Sequence, residues 1–545
     1  MREYLQEKVE ASLRRLNLPD QPPPTFERPK MAEHGDLTTN IAMVLARTVG
    51  KKPRQLAADI VSNLEIDPDL VEIVEIAGPG FINFHFKDKF FHQQLGEILK
   101  TGVRFGRSEV GGRTKTQVEF VSANPTGPLT VGHGRNAVFG DTVANLLEWT
   151  GHDVTREYYF NNAGRQMRVL GDSVRLRYLE LLGDSVEFPE DYYQGEYIKE
   201  IAHHLIEENG EALRNEPPEG RFKEKAEEEI FRDIKETLKR LGMEFDVFYN
   251  ENSLYETGKV KEVVDDLRRL GYAYDLEGAV WFRATAFKGE KDKVIIKSSG
   301  EPTYRLPDIA YHREKFNRGF QLIVDILGAD HIATYPDVLA GLKALGYDPD
   351  KVKVLIHQFV TIVRDGEAVK MSTRKANYVT LDELIDEVGV DVVRYFFLMR
   401  SHSSHLNFDL GLAKKQSEEN PVYYLQYAHA RIASIVRFAA DEGATVGSVG
   451  AIPLELLKEP ETMAAVRKLA EFPDMVESCA FTFEPHRLAE YLHDVAGLFH
   501  RFYHVHRVVT DDKSLTSARL ALCEATRTIL ANGFAILGIS APGKM

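Results

Sequence analysis

Cysteine is almost missing from this chain. Two residues, Cys479 and Cys523, serve 545 positions, too few for a disulfide framework or a thiolate zinc site. Long apolar runs are missing as well. The longest candidates, such as Val352–Val363, are broken by polar residues and fall short of a membrane span. The first residues, Met1-Arg-Glu-Tyr-Leu-Gln-Glu-Lys8, are charged and helical in pattern and lack the apolar stretch of a signal peptide. A cytoplasmic protein with no membrane partner is the expectation. Internal repeats and low-complexity tracts are also lacking. So is an excess of basic residues: the formal charge is −15, which does not favour a polyanionic partner. The deficit is uneven. Residues 421–545 carry 12 basic and 14 acidic side chains, so this part is nearly neutral and leaves room for a nucleic-acid face.

What is present is a phosphate-binding pattern. The strand-like run Gln117–Val121 is followed by Ser122-Ala-Asn-Pro-Thr-Gly-Pro-Leu-Thr-Val-Gly-His133 and then by a helix-like run to about Gly151. Strand, glycine-rich turn and helix place backbone N–H groups and a helix N-terminus where an anion can sit. His133 falls at the start of the helix. Far downstream, Lys370-Met-Ser-Thr-Arg-Lys-Ala-Asn377 is a basic, hydroxyl-bearing loop. The pair suggests an ATP site with a cradle on one side and a cationic lid on the other. Taken singly, the first segment reads equally well as a surface turn with a helix cap, and the second as a solvated basic loop.

The length implies several domains, and three blocks are legible. Residues 1–110 form a small α+β unit with an amphipathic first helix and a break at Pro22–Pro24. A helical segment Asp36–Ala46 and two strands, Val71–Ile76 and Phe81–Phe86, complete it. Residues 111–412 alternate strands and helices as a doubly wound parallel α/β sheet does. Its strand candidates are Gln117–Val121, Asp153–Tyr159, Leu322–Leu327 and Val352–Val363. An insertion occupies about 165–290, including Lys223–Arg240, which reads as a solvated helix. Residues 413–545 are helical throughout, with 3.6-residue periodicity in Pro421–Ile432, Pro485–His506 and Ser517–Gly538.

Several further residues carry chemistry. Glu119 lies inside an apolar strand, where a lone charge is costly; either a cationic substrate or a structural arginine would satisfy it. Tyr304 and Asp308 are four apart, one helical turn if Pro307 permits, and a carboxylate beside a phenol can receive a guanidinium. Gly328-Ala-Asp330-His331 follows a strand, at the edge where open α/β sheets bind ligands. Tyr423, Tyr424, Tyr427 and Arg431 could stack on bases or form a core-facing stripe. His493, His500 and His504 share a helix side but lack carboxylate or thiol companions, so no metal site is expected.

The turn at Asn124–His133 resembles the HIGH signature of class I aminoacyl-tRNA synthetases, and Lys370-Met-Ser-Thr-Arg374 resembles their KMSKS loop. Over essentially its whole length the chain is similar to the arginyl-tRNA synthetase family. The supporting segments are Gly35-Asp36 with Asn40, Ala77–Asn83, Arg156–Gly164, Asn420–Arg431 and Leu537–Met545. The resemblance implies an ATP-dependent ligase that forms arginyl-adenylate and transfers arginine to its tRNA, with tRNA required before activation. It implies a monomer whose helical C-terminal block reads the anticodon and whose N-terminal block reads the tRNA elbow. Implied ATP contacts are Pro125, Thr130, Gly132, His133, Gly328, Asp330, His331, Lys370, Met371 and Ser372. Among these His133, Lys370 and Ser372, with Arg374, would act on the phosphates. The implied arginine pocket is Glu119, Ser122, Asn124, Tyr304 and Asp308, and Tyr424, Tyr427 and Arg431 would meet tRNA. Mg²⁺ would arrive with ATP, and no protein-held metal is implied. Two departures stand out: Thr130 replaces the first signature histidine, and Thr373 replaces the second signature lysine.

Overall fold

The computed structural model describes residues 1–18, 22–29, 31–369 and 379–545. The N-terminal unit comprises α1 (Arg2–Arg15), β1 (Leu37–Thr39), α2 (Ile41–Val49), α3 (Pro53–Ser62), β2 (Val71–Ala77), β3 (Phe81–Phe86) and α4 (Asp88–Thr101). Its sheet has the order β1-β3-β2, antiparallel throughout. The stretch Asp36–Ala46, expected as one helix, divides: Leu37-Thr-Thr39 pairs with β3, and the helix starts only at Ile41. Two β-branched threonines beside an edge suit a strand better than a helix interior.

The central unit begins with β4 (Lys115–Glu119), α5 (Val131–Trp149) and β5 (Asp153–Phe160). It continues through α6 (Gly164–Leu181), α7 (Glu196–Asn209) and α8 (Lys223–Arg240) to β6 (Val247–Asn250), α9 (Asn252–Glu256) and α10 (Lys259–Arg269). A small antiparallel sheet follows, formed by β7 (Ala273–Leu276), β8 (Ala279–Phe282) and β9 (Lys293–Ile296). Then come α11 (Arg305–Asn317), β10 (Leu322–Gly328), α12 (Tyr335–Ala344) and β11 (Val352–His357). The main sheet has the order β11-β10-β4-β5-β6 and is parallel throughout. From β4 the chain winds to one side through β5 and β6, then returns to the other side as β10 and β11. The strand order therefore reverses between β4 and β10, the crevice in which doubly wound sheets bind ligands.

The run Val352–Val363 is two strands. β11 ends at His357, and β12 (Val360–Arg364) joins β13 (Glu367–Ala368) and, in parallel, β14 (Leu406–Asp409) in a separate sheet. Between β13 and β14 lie α13 (Leu381–Val388) and α14 (Val390–Leu398). Helix α8 matches the expected span but is not solvated all round: Ala226, Ile230, Ile234 and Leu238 line a buried face. This is the 3.6-residue stripe of an amphipathic helix.

After the short α15 (Leu410–Ala413), the C-terminal unit is built from α16 (Pro421–Asp441), α17 (Pro460–Leu469), α18 (Phe472–Thr482), α19 (His486–Val505) and α20 (Lys513–Leu537). Asn420 caps α16 by accepting from the N–H groups of Val422 and Tyr423, and Pro421 occupies the first turn, where its missing N–H costs nothing. Helix α20 is apolar and long enough to cross a membrane, but most of it is buried inside the protein. The main hydrophobic core runs through all three units. Arg467 joins the two ends of the chain, donating to Asp36 at 2.9 Å and Asp88 at 2.8 Å and lying over the Phe91 ring. Asn532 of α20 donates to the carbonyls of Gly102 and Phe105.

Candidate active site

The phosphate turn leaves β4 through an unusual backbone. Val121 and Ser122 have φ of 66° and 45°, a left-handed conformation that costs non-glycine residues about 1 kcal/mol or more each. Asn136 of α5 holds it: its side-chain oxygen accepts from Val121 N–H at 2.6 Å, and its amide donates to the carbonyl of Ile326 at the end of β10. Tyr158 and Tyr197 donate to the carbonyls of Ala123 and Thr126, each at 2.8 Å. Helix α5 lies so close to β4 that a Cβ on Gly140 would stand 2.3 Å from that of Phe120.

Thr130 is the N-cap of α5. Its backbone N–H donates to His133 Nδ1 at 3.1 Å, and its hydroxyl lies 3.3 Å from the same nitrogen. Burial lowers the His133 pKa, so the ring is neutral near pH 7. With Nδ1 accepting, the proton of the neutral ring resides on Nε2, available to a phosphate oxygen. His357 lies beside Asn136, 3.2 Å from its amide, and opposite Gly328 in the sheet. Burial drives its pKa down to about 4. Gly328 closes β10, and Asp330 and His331 project from the following turn into solvent. Gly132 is exposed in the first turn of α5 and Pro125 is buried in the loop.

Lys370, Met371, Ser372 and Arg374 lie outside the described residues. Their flanks are described. Val369 N–H donates to the Ile362 carbonyl. On the far side, Thr380 forms an antiparallel bridge with Thr130, and Leu381 N–H donates to the Leu129 carbonyl at 2.8 Å. The described residues that follow the second segment, Thr380 and Leu381, thus pair with the end of the phosphate turn.

Beside this turn is a concentration of acid. Sheet register sets Asp325 of β10 opposite Glu119 of β4, and Glu119 opposite Glu157 of β5. Three carboxylates therefore stand in a row, all buried, an arrangement that repels unless it is neutralised. Helix α11 covers the row. Lys315, fully buried, donates to Glu119 and Asp325, both at 2.6 Å. Arg318 grips Glu157 through two bonds of 2.6 and 2.8 Å, and the Tyr311 hydroxyl donates to the same carboxylate. His312 Nε2 is 2.8 Å from Asp325. The cation beside Glu119 is therefore a lysine of the protein, where the sequence suggested an arginine or a substrate. The other Glu119 oxygen accepts from the Ser122 hydroxyl at 2.9 Å. Asn124 is also engaged, donating to Gln166 and accepting from Asn161 N–H.

Asp308 differs from its neighbours. It stands in the first turn of α11, where Pro307 is harmless because first-turn N–H groups need no helical partner. Among the described residues nothing donates to its carboxylate. Burial, with the charges of Glu251 and Glu119 nearby, pushes its pKa up to about 7, against the opposing pull of His312 and Lys315. Glu251 is a further acid of this group, one that sequence reasoning missed; it accepts from Tyr159 OH and Asn161, each at 2.8 Å. Burial raises its pKa too. Tyr159 stacks on Tyr311 with ring centroids 4.2 Å apart. Tyr304, one turn before Asp308, is 87% exposed. Glu157 and Tyr159 belong to a segment noted for its resemblance, which was the available signal. Lys315, Asn136 and Glu251 had none, because their partners are distant in sequence.

On the C-terminal unit, Tyr424 packs between His493 and His500, with ring centroids 4.9 Å from each. Arg431 lies over the rings of Tyr427 and Tyr503, 5.0 Å from both. These side chains join α16 to α19 while keeping part of their surface in solvent.

The parallel sheet, the phosphate turn at its switch point and the two signature segments of the sequence define the catalytic domain of a class I aminoacyl-tRNA synthetase. Residues 94–394 match the family described as tRNA synthetases class I (R), catalytic domain. Residues 3–86 match the arginyl tRNA synthetase N terminal domain and residues 425–545 the DALR anticodon binding domain. The chain belongs to the arginyl-tRNA synthetase family. It is 54% identical over 521 residues to the arginine–tRNA ligase of Desulfotalea psychrophila, covering 96% of this chain and 94% of that one. It is 51% identical to that of Chlorobium phaeobacteroides, with both chains covered in full. The fold matches Thermus thermophilus arginyl-tRNA synthetase over 100% of both chains with a TM-score of 0.78, at 22% identity.

Proposed function

We propose that the chain attaches L-arginine to its cognate tRNA in two displacements, with the residues of the switch-point crevice as its site. Arginine's carboxylate attacks the α-phosphate of ATP, giving arginyl-adenylate and pyrophosphate. A terminal ribose hydroxyl of the tRNA then attacks the acyl carbon and releases AMP. Neither step needs a protein nucleophile. The site's contribution is positioning and stabilisation of charge on phosphate oxygens.

The observation that carries the arginine pocket is Asp308: a carboxylate with no donor among the described residues, amid acids that outnumber the neighbouring cations. A guanidinium supplies both the charge and the paired N–H groups it lacks. Glu119, Ser122 and Asn124 frame the opposite wall in this reading, and Tyr304, which is in solvent one turn before Asp308, would fold over the substrate. On the ATP side, His133 donates from Nε2, while Gly132, Thr130 and Pro125 shape the cradle, and Gly328, Asp330 and His331 border the nucleoside. The family pattern assigns Lys370, Met371, Ser372 and Arg374 to the phosphates. ATP arrives as its Mg²⁺ complex, with no protein side chain assigned to the metal. Tyr424, Tyr427 and Arg431 meet tRNA from the helical unit. The reading describes a cytoplasmic monomer of three units, 1–110, 111–412 and 413–545, with an insertion at about 165–290.

The test is acid-precipitable label from radioactive arginine with ATP, Mg²⁺ and total tRNA, run beside tRNA-free ATP–pyrophosphate exchange. Charging with arginine, with exchange appearing only after tRNA is added, is the expected result. Charging with a different amino acid would sink the pocket assignment.

A further inference from the structure

Lys315 is the most deeply buried cation near the reaction site, and it does not reach the open side of the pocket. Its Nζ is shared between Glu119 and Asp325, adjacent across the β4–β10 register, and it lies 4.4 Å from the centre of the Tyr311 ring. Glu157 flanks Glu119 from β5 but has its own cation in Arg318. His312 and Asp308 approach from α11, and Tyr159 from β5. Without Lys315, Glu119 and Asp325 are two like charges side by side in a dry interior. Such pairs share a proton, and their second ionisation moves up toward neutral pH.

We propose that Lys315 is a positioning residue of the amino-acid site: clamped between Asp325 and Glu119, it keeps the Glu119 carboxylate ionised and fixed for the substrate guanidinium. The sheet supplies the acceptor and the helix makes its charge permissible. Ser122 fixes one Glu119 oxygen and Lys315 the other, leaving the remaining lone pairs to face the pocket. Lys315 contacts no substrate. Its effect falls on arginine recognition and leaves ATP binding and the chemical step unchanged.

The inference rests on Glu119 being an arginine acceptor, so charging by the wild type is measured first. Failure of the wild type with arginine removes that reading, whereas the outcomes below bear on Lys315 alone. The variants are Lys315→Met, Asp325→Asn and the double variant Lys315→Met/Asp325→Asn. Arginine KM, ATP KM and kcat are measured from pH 6.5 to 9, with thermal melting as a check on folding. For Lys315→Met the ratio of arginine KM to that of wild type is expected to exceed tenfold at pH 6.5 and to shrink as pH rises. ATP KM is expected to stay within twofold. In the double variant Glu119 has lost its charged neighbour along with its cation, so the ratio falls to within threefold at every pH. An unchanged arginine KM in Lys315→Met overturns the proposal. So does a pH-independent loss that the double variant shares. If Lys315→Met does not fold, the double variant decides alone, by the same threefold limit. A double variant that does not fold while Asp325→Asn does also overturns it, because the lysine would then be required for packing and not for charge.

Discussion

The backbone N–H of Thr130 donates to Nδ1 of His133 across 3.1 Å, so the residue in the first signature position sets the tautomer of the last. Any residue but proline supplies that N–H, which explains how Thr130 stands where the family uses histidine. The hydroxyl, 3.3 Å from Nδ1, is the replaceable part. Thr130→Ala is therefore expected to keep activity within a few-fold. His133→Ala removes the Nε2 donor and should lower kcat for adenylate formation by about 10²–10³, as loss of one preorganised donor to a charged transition state does. Arginine KM should change little. Steady-state pyrophosphate exchange in the presence of tRNA separates the two.

Asp308→Asn keeps the shape of the site and removes a buried carboxylate to which none of the described residues donates. A charge-assisted hydrogen bond contributes about 1.5–3 kcal/mol, so kcat/KM for arginine should fall by roughly 10- to 200-fold. Competition by citrulline, the neutral isostere, should weaken less. Equal losses for both ligands would show that Asp308 does not read the guanidinium.

Asp308 also sets a pH dependence. Its pKa in the free protein is about 7, and guanidinium binding requires the ionised form. The neighbouring Glu119, Glu251, His312 and Lys315 set this value jointly with burial. Below pH 7, kcat/KM for arginine should fall about tenfold per unit, flattening above it. Stability follows the opposite sign. A carboxyl whose folded pKa is raised favours the folded state below its unfolded pKa near 4, and that contribution is lost as pH rises through 7. Arginine should therefore raise the melting temperature more at pH 8 than at pH 6, which differential scanning fluorimetry would read.

Arg394 of α14 is 1% exposed. It donates to the carbonyls of Leu537 and Leu241 and to Asp141 at 2.6 Å, joining the last helix, the end of α8 and α5. Gly538, with φ of 68°, makes room for it, since a Cβ there would stand 2.1 Å from the guanidinium. Breaking a buried pair costs about 3–5 kcal/mol, so Arg394→Met should lower the melting temperature by several degrees. Gly538→Ala should do so as well, through both the contact and the backbone. Independent melting of a C-terminal fragment in either variant would show that this joint holds the units together.

Periodicity and turn chemistry made most elements legible. The strands at Asp153 and Leu322, helix α8 and the long helices of the C-terminal unit fall where alternation and 3.6-residue spacing put them. What failed was assignment of runs whose partners are remote. Val352–Val363 carries no glycine or proline to mark a break, and only the pairing of β12 with β14 reveals that the chain changes sheets after His357. Leu37–Thr39 is strand because β3 lies beside it. Within the site, the need of Glu119 for a cation was readable from its burial. The identity of that cation was not, because Lys315 meets it through a helix packing that no local pattern encodes. Glu251 escaped notice for the same reason.

The row Asp325–Glu119–Glu157 has a consequence for how the protein comes to fold. Three acidic side chains on neighbouring strands oppose the pairing of β4 with β5 and β10 until Lys315 and Arg318 supply the countercharge. Helix α11 precedes β10 in the chain, so during synthesis the countercharge emerges before the strand that completes the row. Burying this row at the centre of the sheet therefore depends on α11 packing over it, so the sheet's central pairing and the docking of that helix are energetically one step.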